Sequence, residues 1–522
     1  MNKAITHAWA ALGADPGLLE RVSYERVTGA LPARLPVRES ARAAVAVCAL
    51  AAAELAAEVA GGTAAGSAVP RAAGPGAGRP GAGGLGAGGR GAEAPGAGRP
   101  VAGRVRAVPR VRVDDGAVAT AFHSERFTTL DGRRWDGFAP LSRFWRAADG
   151  WVRTHANYPH HQARLLAALG LPAGSDADAV AAALAGWGAA EAEAAVYAAG
   201  GLAIAVREGA EWDASEQGAL VAERPLLELE RLGDAPGPAR RTGGDGGGAA
   251  GAGAAGIGAA GIGAPCAGVR VLDLTRVLAG PVATRTLALL GADVLRVDAP
   301  GLPESRGAHN DTGIGKRSAL LDLARGADRR VFDELLDAAD VLVTGYRPGA
   351  LDRFGLTPEA LAERRPGLVV ARLSAWGAYG PWGGRRGFDS LVQAATGIAL
   401  LEGDEGRPGA LPAQALDHGT GYLLAAGVLR ALTERRRGGG TWRVEAALAQ
   451  TARWLTHGTH REAPRAGERP GRPYEPGAWL VERDAPLGRL RHALSPVSYE
   501  GGPADWARPP GRWGADEPRW TA

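Results

Sequence analysis

Two cysteines, one methionine and two lysines, Lys3 and Lys316, are all that the 522 residues hold of these types. The two isolated thiols, Cys48 and Cys266, exclude a disulfide framework and a cysteine-based metal cluster. His160 and His161 adjoin in NYPHH, but no further ligands stand at metal-site spacing, so no metal is expected. No uncharged span reads as long and apolar enough to cross a bilayer. The N-terminus, MNKAITHAWAALGADPG, has no basic region followed by a long apolar run, so no signal peptide is expected. A reduced cytoplasmic location and no membrane partner follow as expectations. The formal net charge of +4 comes from arginines interspersed with acids. That pattern reads as a solvated surface, and no nucleic-acid partner is expected. Ser374 and Ser390 lack a Gly-x-Ser-x-Gly context, which disfavours serine-hydrolase chemistry.

What is abundant is small. The chain has 80 glycines and 35 prolines, and two segments are of low complexity: 61–104, almost entirely Gly, Ala, Pro and Arg, and 242–267, Gly and Ala with few exceptions. Neither can bury enough apolar surface to offset chain entropy, so both read as linkers. Each contains a decoy phosphate motif, GAGGLG at 81–86 and GIGAAG at 256–261, with no strand before it. The linkers divide the chain into a helical segment (1–60), a small α+β part (105–241), an α/β part (268–460) and a Pro/Arg-rich tail (461–522) expected to be mostly irregular. Residues 41–60 read as a buried helix. Residues 144–156 read as a hairpin turning at Asp149-Gly150, and 161–169, 177–186 and 189–199 as short helices. There is also an internal echo. LPVRESARAAVAVCALAAAEL (35–55) has the layout of PAQALDHGTGYLLAAGVLRAL (412–432), with Glu39 or Asp417 at the helix start. VRVDDGAVATAF (111–122) likewise resembles WRVEAALAQTARWL (442–455).

The stretch 268–297, GVRVLDLTRVLAGPVATRTLALLGADVLRV, predicts strand, turn, helix, strand. Val269, Val271, Leu272 and Leu274 form the first apolar run. Pro281 suits a first helical turn, Gly291 ends the helix, and 293–297 is the next strand. Further strands are expected at 341–345 and 368–373. Such a unit leaves backbone N–H groups free at the strand's carboxyl end, where ligands bind in open α/β sheets. The turn 276–281 has no Gly-x-Gly-x-x-Gly, which argues against a dinucleotide.

Six segments, taken together, resemble one family. They are the stretch above, GKRSALLDL (315–323), ADVLVTGYRPGALDRFGL (339–356), LVVARLSAWGAYGPW (368–382), RRGFDSLVQAATG (385–397) and ALDHGTGYLLAAGVLRAL (415–432). In order and spacing they resemble the N-terminal half of class III CoA-transferases, the CaiB/BaiF type, over residues 268–455. Residues 144–170 resemble that family's smaller domain, which normally follows these motifs. Here it precedes them, so the order resembles a circular permutation. The fold class implied is α/β, a Rossmann-like parallel sheet domain plus a smaller α+β domain, with an interlaced homodimer as the family's assembly.

The resemblance carries roles onto particular residues. Asp417 matches the aspartate that attacks the acyl-CoA thioester; by its position alone it also reads as a helix N-cap. Gly419 and Gly421 would let a thioester approach the backbone. Asp389 in GFDS matches a second acid near the site and reads equally as a cap for a helix beginning at Ser390. Racemases of this superfamily have a histidine immediately before that acid. This chain has Phe388, which favours acyl transfer; His418 could substitute as the base, but reads first as a surface or capping residue. Contacts to coenzyme A map onto Arg276, Val277, Leu278, Ala279, Leu321, Gly345, Tyr346 and Arg353. Lys316 reads either as a required ammonium or as a surface lysine. The family's basic residue after the second strand is replaced by Asp298-Ala299.

The implied function is CoA transfer between carboxylic acids through an aspartyl-CoA thioester. The partners are an acyl-CoA and a carboxylic acid acceptor, with no cofactor beyond coenzyme A itself. Two alternatives stand beside it: an acyl-CoA racemase or isomerase on the same fold, and an inactive CoA-binding homologue. Replacing 67–100 by a short Gly/Ser linker is expected to leave activity and melting temperature nearly unchanged. A large loss of coenzyme A binding in that deletion would assign the segment a function.

Overall fold

The computed structural model describes residues 3–64, 107–134, 137–237, 262–462 and 471–521. Both decoy glycine motifs lie outside the described residues. The main sheet has seven strands: β1 (Leu227–Gly233), β2 (Arg270–Leu274), β3 (Asp293–Asp298), β4 (Arg317–Leu320), β5 (Val341–Thr344), β6 (Val369–Ser374) and β7 (Thr441–Ala447). Their order is β4-β3-β2-β5-β6-β7-β1. All neighbours are parallel except β1, which joins β7 antiparallel. The chain leaves β2 in one direction for β3 and later returns to its other side with β5. The β2 and β5 carboxyl ends therefore flank the crevice where the strand order reverses, the place where open α/β sheets bind ligands.

The apolar runs fill both faces of this sheet, as parallel strands require. Val271, Val341, Val343, Val369 and Ala371 face the large core; Leu272, Leu342, Leu368 and Val370 face a second core. Five helices position the site: α1 (Val37–Ala64), α2 (Pro159–Ala168), α3 (Ala279–Leu289), α4 (Asp389–Ala395) and α5 (Ala415–Gly438). The two echoed sequence segments are packed on each other, α1 along α5. The contact is sealed where Arg430 of α5 meets Glu54 of α1 at 2.9 Å. Each of these helices is followed by a strand and a short helix: Val111–Asp114 with Asp115–Ala121, and β7 with Leu448–Arg453.

Several expectations need correction. The stretch Val37–Gly61 has a mean hydropathy of 1.9 and is long and apolar enough to span a membrane by composition. It is instead the core helix of this fold, 89% buried, packed along α5. The described residues within 105–241 do not pack as one unit. The small domain with its own core runs from Leu141 to Ala205, a three-stranded antiparallel sheet of Phe144–Arg146, Trp151–Thr154 and Ala203–Ala205 carrying three helices. Val111 to Phe122 and Trp212 to Leu227 join the large core instead. The end of the second linker is also packed: Cys266 is buried and donates its N–H to the Leu290 carbonyl at 3.0 Å.

The tail is more ordered than expected. Leu480–Ala485 and Gly488–Ala493 form a hairpin that pairs with Leu130. Beyond it the chain covers the β4 edge, where Asp516 donates its N–H to the Ser318 carbonyl at 2.8 Å. Three tryptophans peg it down: Trp506, Trp513 and Trp520 donate to the Arg285 carbonyl, Asp298 and the Leu335 carbonyl. A covered edge strand cannot template pairing with another chain.

Lys316 is no surface residue. It is 2% exposed, and its Nζ donates to Asp273 Oδ2 at 3.1 Å, the Pro281 carbonyl at 3.0 Å and Thr284 Oγ1 at 2.6 Å. Burial outweighs the ion pair and lowers its pKa to about 8. It ties the end of β2 to the first turn of α3. Lys316→Ala leaves the Asp273 carboxylate buried without its cation and should cost about 3–5 kcal/mol in urea unfolding. A loss under 1 kcal/mol would show that the cluster is not a structural tie.

Candidate active site

A cleft of about 740 Å³ opens between the α/β part and the small domain. One wall is the switch-point crevice: Leu274, Arg276, Val277 and Ala279 after β2, and Gly345, Tyr346 and Arg347 after β5. The other is the start of α2, with Tyr158, His160, His161 and Arg164. Phe388 and Asp417 reach the cleft from the connections preceding α4 and from the first turn of α5. Of the eight positions assigned to coenzyme A, seven line this cleft; Leu278, buried, does not. Arg164, Arg276, Arg347, Arg353, Arg385 and Arg386 also line it, against only Asp298, Asp322 and Asp417. Cationic walls of this kind suit a phosphate-bearing ligand.

Asp417 is not an N-cap. The N-cap position is Gln414, which makes no side-chain cap. The free N–H groups at the start of α5 are capped from outside: those of Leu416 and Asp417 both donate to Asp389 Oδ2, at 2.9 Å each. Asp389 Oδ1 accepts from Gln393, and Gln393 Oε1 in turn accepts the Leu411 N–H at 2.9 Å. Asp389 lies within the first turn of α4 without capping it. It is 1% exposed and does not line the cleft. The geometry makes it a positioning residue that fixes the helix start carrying Asp417.

Burial pushes the Asp417 carboxyl well above the usual carboxylate range, and the nearby Asp389 and Glu125 charges add to the rise. Burial also raises Asp389, against the N–H donors and Gln393 that favour its charged form. A raised carboxyl carries greater proton affinity and is a stronger nucleophile once ionised.

The glycines of α5 serve packing. A Cβ at Gly421 would lie 2.5 Å from the Ala279 carbonyl oxygen and 2.9 Å from the Val282 Cβ, so this glycine lets α5 press against α3. Gly419 lies inside the helix against Thr451. His418 is neither surface nor cap: it is fully buried, its ring stacked on Phe122 and its Nε2 3.3 Å from Glu125. Phe388 stacks on His155 with centroids 3.7 Å apart and planes at 3°. Burial and neighbouring cations hold His155 and His161 well below the ordinary histidine pKa.

Tyr158, His161 and Arg164 were not singled out from sequence as site residues. The signal was present in THANYPHH, a polar, histidine-rich run closing a predicted hairpin. Only the fold brings it opposite the β2 turn. The small domain is pinned there by Tyr197, whose hydroxyl donates to the Arg386 carbonyl at 2.9 Å, and by the Glu193–Arg385 ion pair at 3.0 Å.

A cleft at the switch point of a parallel sheet, with arginines on its walls and two buried carboxyl groups, Asp298 and Asp417, suits an anionic ligand. Among known families, the model of CoA-transferase family III matches residues 266–479 of this chain. The probable fatty acyl-CoA transferase Rv3272 of Mycobacterium tuberculosis is 37% identical over 205 residues, 36% of this chain and 51% of that protein. The formyl-CoA:oxalate CoA-transferase of Streptomyces coelicolor is 36% identical over 193 residues, 35% of this chain and 47% of that protein. A crystal structure of Rv3272 aligns at 38% identity and a TM-score of 0.35, covering 37% of this chain and 58% of that one. The chain thus spans about half the length of the curated relatives it matches.

If Asp417 must be ionised to act, kcat/KM should fall on acidification along a limb lying above the ordinary carboxylate range. Asp389→Asn removes the like charge and should move that limb to lower pH, by about one unit. A pH–rate profile unmoved by Asp389→Asn would break the link between the two acids.

Proposed function

We propose that the protein is a CoA-transferase acting between carboxylic acids, with Asp417 as nucleophile. The observation that carries this reading is that Asp417 opens into the same cleft as seven of the eight positions assigned to coenzyme A. An ionised Asp417 oxygen attacks the donor thioester carbonyl; the C–S bond breaks and CoA thiolate leaves, giving a mixed anhydride. The thiolate attacks the aspartyl carbonyl, releasing the donor acid and forming aspartyl-CoA. The acceptor carboxylate then attacks that thioester and expels the thiolate. Attack of the thiolate on the acceptor's acyl carbon yields the new acyl-CoA and regenerates the Asp417 carboxylate. No net proton or electron is consumed, and thioester energy is conserved through the covalent steps.

Racemisation is less well supported. The position preceding Asp389 carries a phenyl ring that cannot take a proton, and its stacking partner His155 does not line the cleft. The small domain closing the cleft comes from the preceding part of the same chain. Both walls of the cleft thus come from one chain, which supports the reading of a permuted domain order.

Asp417→Asn should lower transferase turnover at least about a thousandfold with the fold intact. Incubation of the unaltered protein with a panel of acyl-CoAs, quenching with hydroxylamine or borohydride and mass spectrometry should place the adduct on Asp417. Retained turnover in a pure Asp417→Asn preparation, or an adduct elsewhere, would overturn the assignment. Exchange of the substrate's α-hydrogen with solvent deuterium, without CoA transfer, would favour the racemase reading.

A further inference from the structure

The turn between β2 and α3 holds a strained residue. Val277 has φ 70°, a left-handed conformation in which a β-branched side chain crowds its own backbone. Such a residue persists only where its surroundings over-determine it. The group that does so is Glu304, in the loop after β3, whose side chain is 2% exposed and does not line the cleft. Its Oε2 accepts the Val277 N–H at 3.2 Å and pairs with Arg296 at 3.1 Å and Arg276 at 3.6 Å. Its Oε1 accepts the Tyr158 hydroxyl at 2.9 Å. Arg276 closes the ring: its guanidinium lies 4.9 Å from the Tyr158 ring centroid and donates to the Pro303 carbonyl at 2.9 Å.

One carboxylate thus binds three parts of the molecule: the strained turn, the buried Arg296 of β3, and the small domain across the cleft. We propose that Glu304 is a positioning residue that holds the 276–279 turn in its ligand-binding conformation through the Val277 amide and latches that turn to the small domain through Tyr158. The inference rests on the reading that this turn takes coenzyme A. Without the carboxylate, the turn relaxes toward ordinary backbone angles and the Arg276 and Val277 side chains leave the cleft wall. The expected defect falls on coenzyme A binding rather than on the steps at Asp417, so KM for acyl-CoA rises while kcat changes little.

The test is a cycle of Glu304→Gln, Val277→Gly and the double variant in the full chain, with Tyr158→Phe alongside. Coenzyme A affinity is read by calorimetry and backbone order by hydrogen exchange. Glu304→Gln should weaken coenzyme A binding about tenfold, the effect of losing a charged hydrogen-bond acceptor, and speed exchange in 275–280. Glycine adopts the left-handed conformation without the Cβ penalty. Val277→Gly should therefore restore part of the affinity and protection in the Glu304→Gln background, a rescue that a general packing role does not give. Tyr158→Phe should raise KM in the same direction without exposing a charge. The latch is overturned if the two changes are simply additive, if exchange in 275–280 is unmoved, or if Glu304→Gln loosens the whole molecule equally. Coenzyme A that fails to bind the unaltered protein would instead defeat the proposed function, while the exchange measurements still decide the latch.

Discussion

The packing of α1 along α5 is the contact on which the rest of the molecule depends. Both helices are long and buried along most of their length, and alanine at so many α1 positions lets the backbones approach closely. The apolar contact is capped at one end by Glu54, which meets both Arg430 and Arg437 of α5. This contact fastens the first part of the chain to the α/β part. The cleft needs both walls, and the small domain is held to its side of it directly, by the Tyr197 hydrogen bond to Arg386 and the Glu193–Arg385 ion pair.

A second constraint is how the start of α5 is held. A helix N-terminus carries free N–H groups and a partial positive charge that favour a nearby anion. Here that anion is Asp389, on another helix, rather than Asp417. The arrangement leaves the Asp417 carboxyl without a capping duty and faces it into the cleft. It also places two acids close together in a buried setting, which raises both. The Asp389 charge is therefore felt at Asp417, and the ionisation of Asp417 depends on a residue that does not touch the cleft.

The same division of labour recurs at the β2 turn. Lys316 ties the strand end to α3 from below, and Glu304 holds the Val277 amide from the side. Neither is offered to a ligand. Both are ionised groups buried beside a backbone that is strained or crowded, as at Gly280, where a Cβ would lie 2.4 Å from Thr275. Buried charges of this kind are worth holding only where geometry matters more than the desolvation they cost.

The sequence by itself determined the elements whose signals are local. The β2–α3–β3 unit, the hairpin at Asp149-Gly150 and the helices of the small domain could all be read, because period and turn chemistry act between near neighbours. Asp417 and the positions assigned to coenzyme A were singled out for a different reason, the resemblance of their motifs to a family, and the fold gathers Asp417 and seven of those eight positions in one cleft. What only the tertiary structure decided are the relations across distance. Whether Asp389 capped its own helix or another, whether Lys316 lay on the surface or beneath a turn, and which wall faced the β2 loop all depend on partners dozens to hundreds of residues away. No periodicity encodes such pairs. The apolar run of α1 shows the limit most plainly, since its composition suits a membrane and a protein core equally, and only its packing along α5 decides between them.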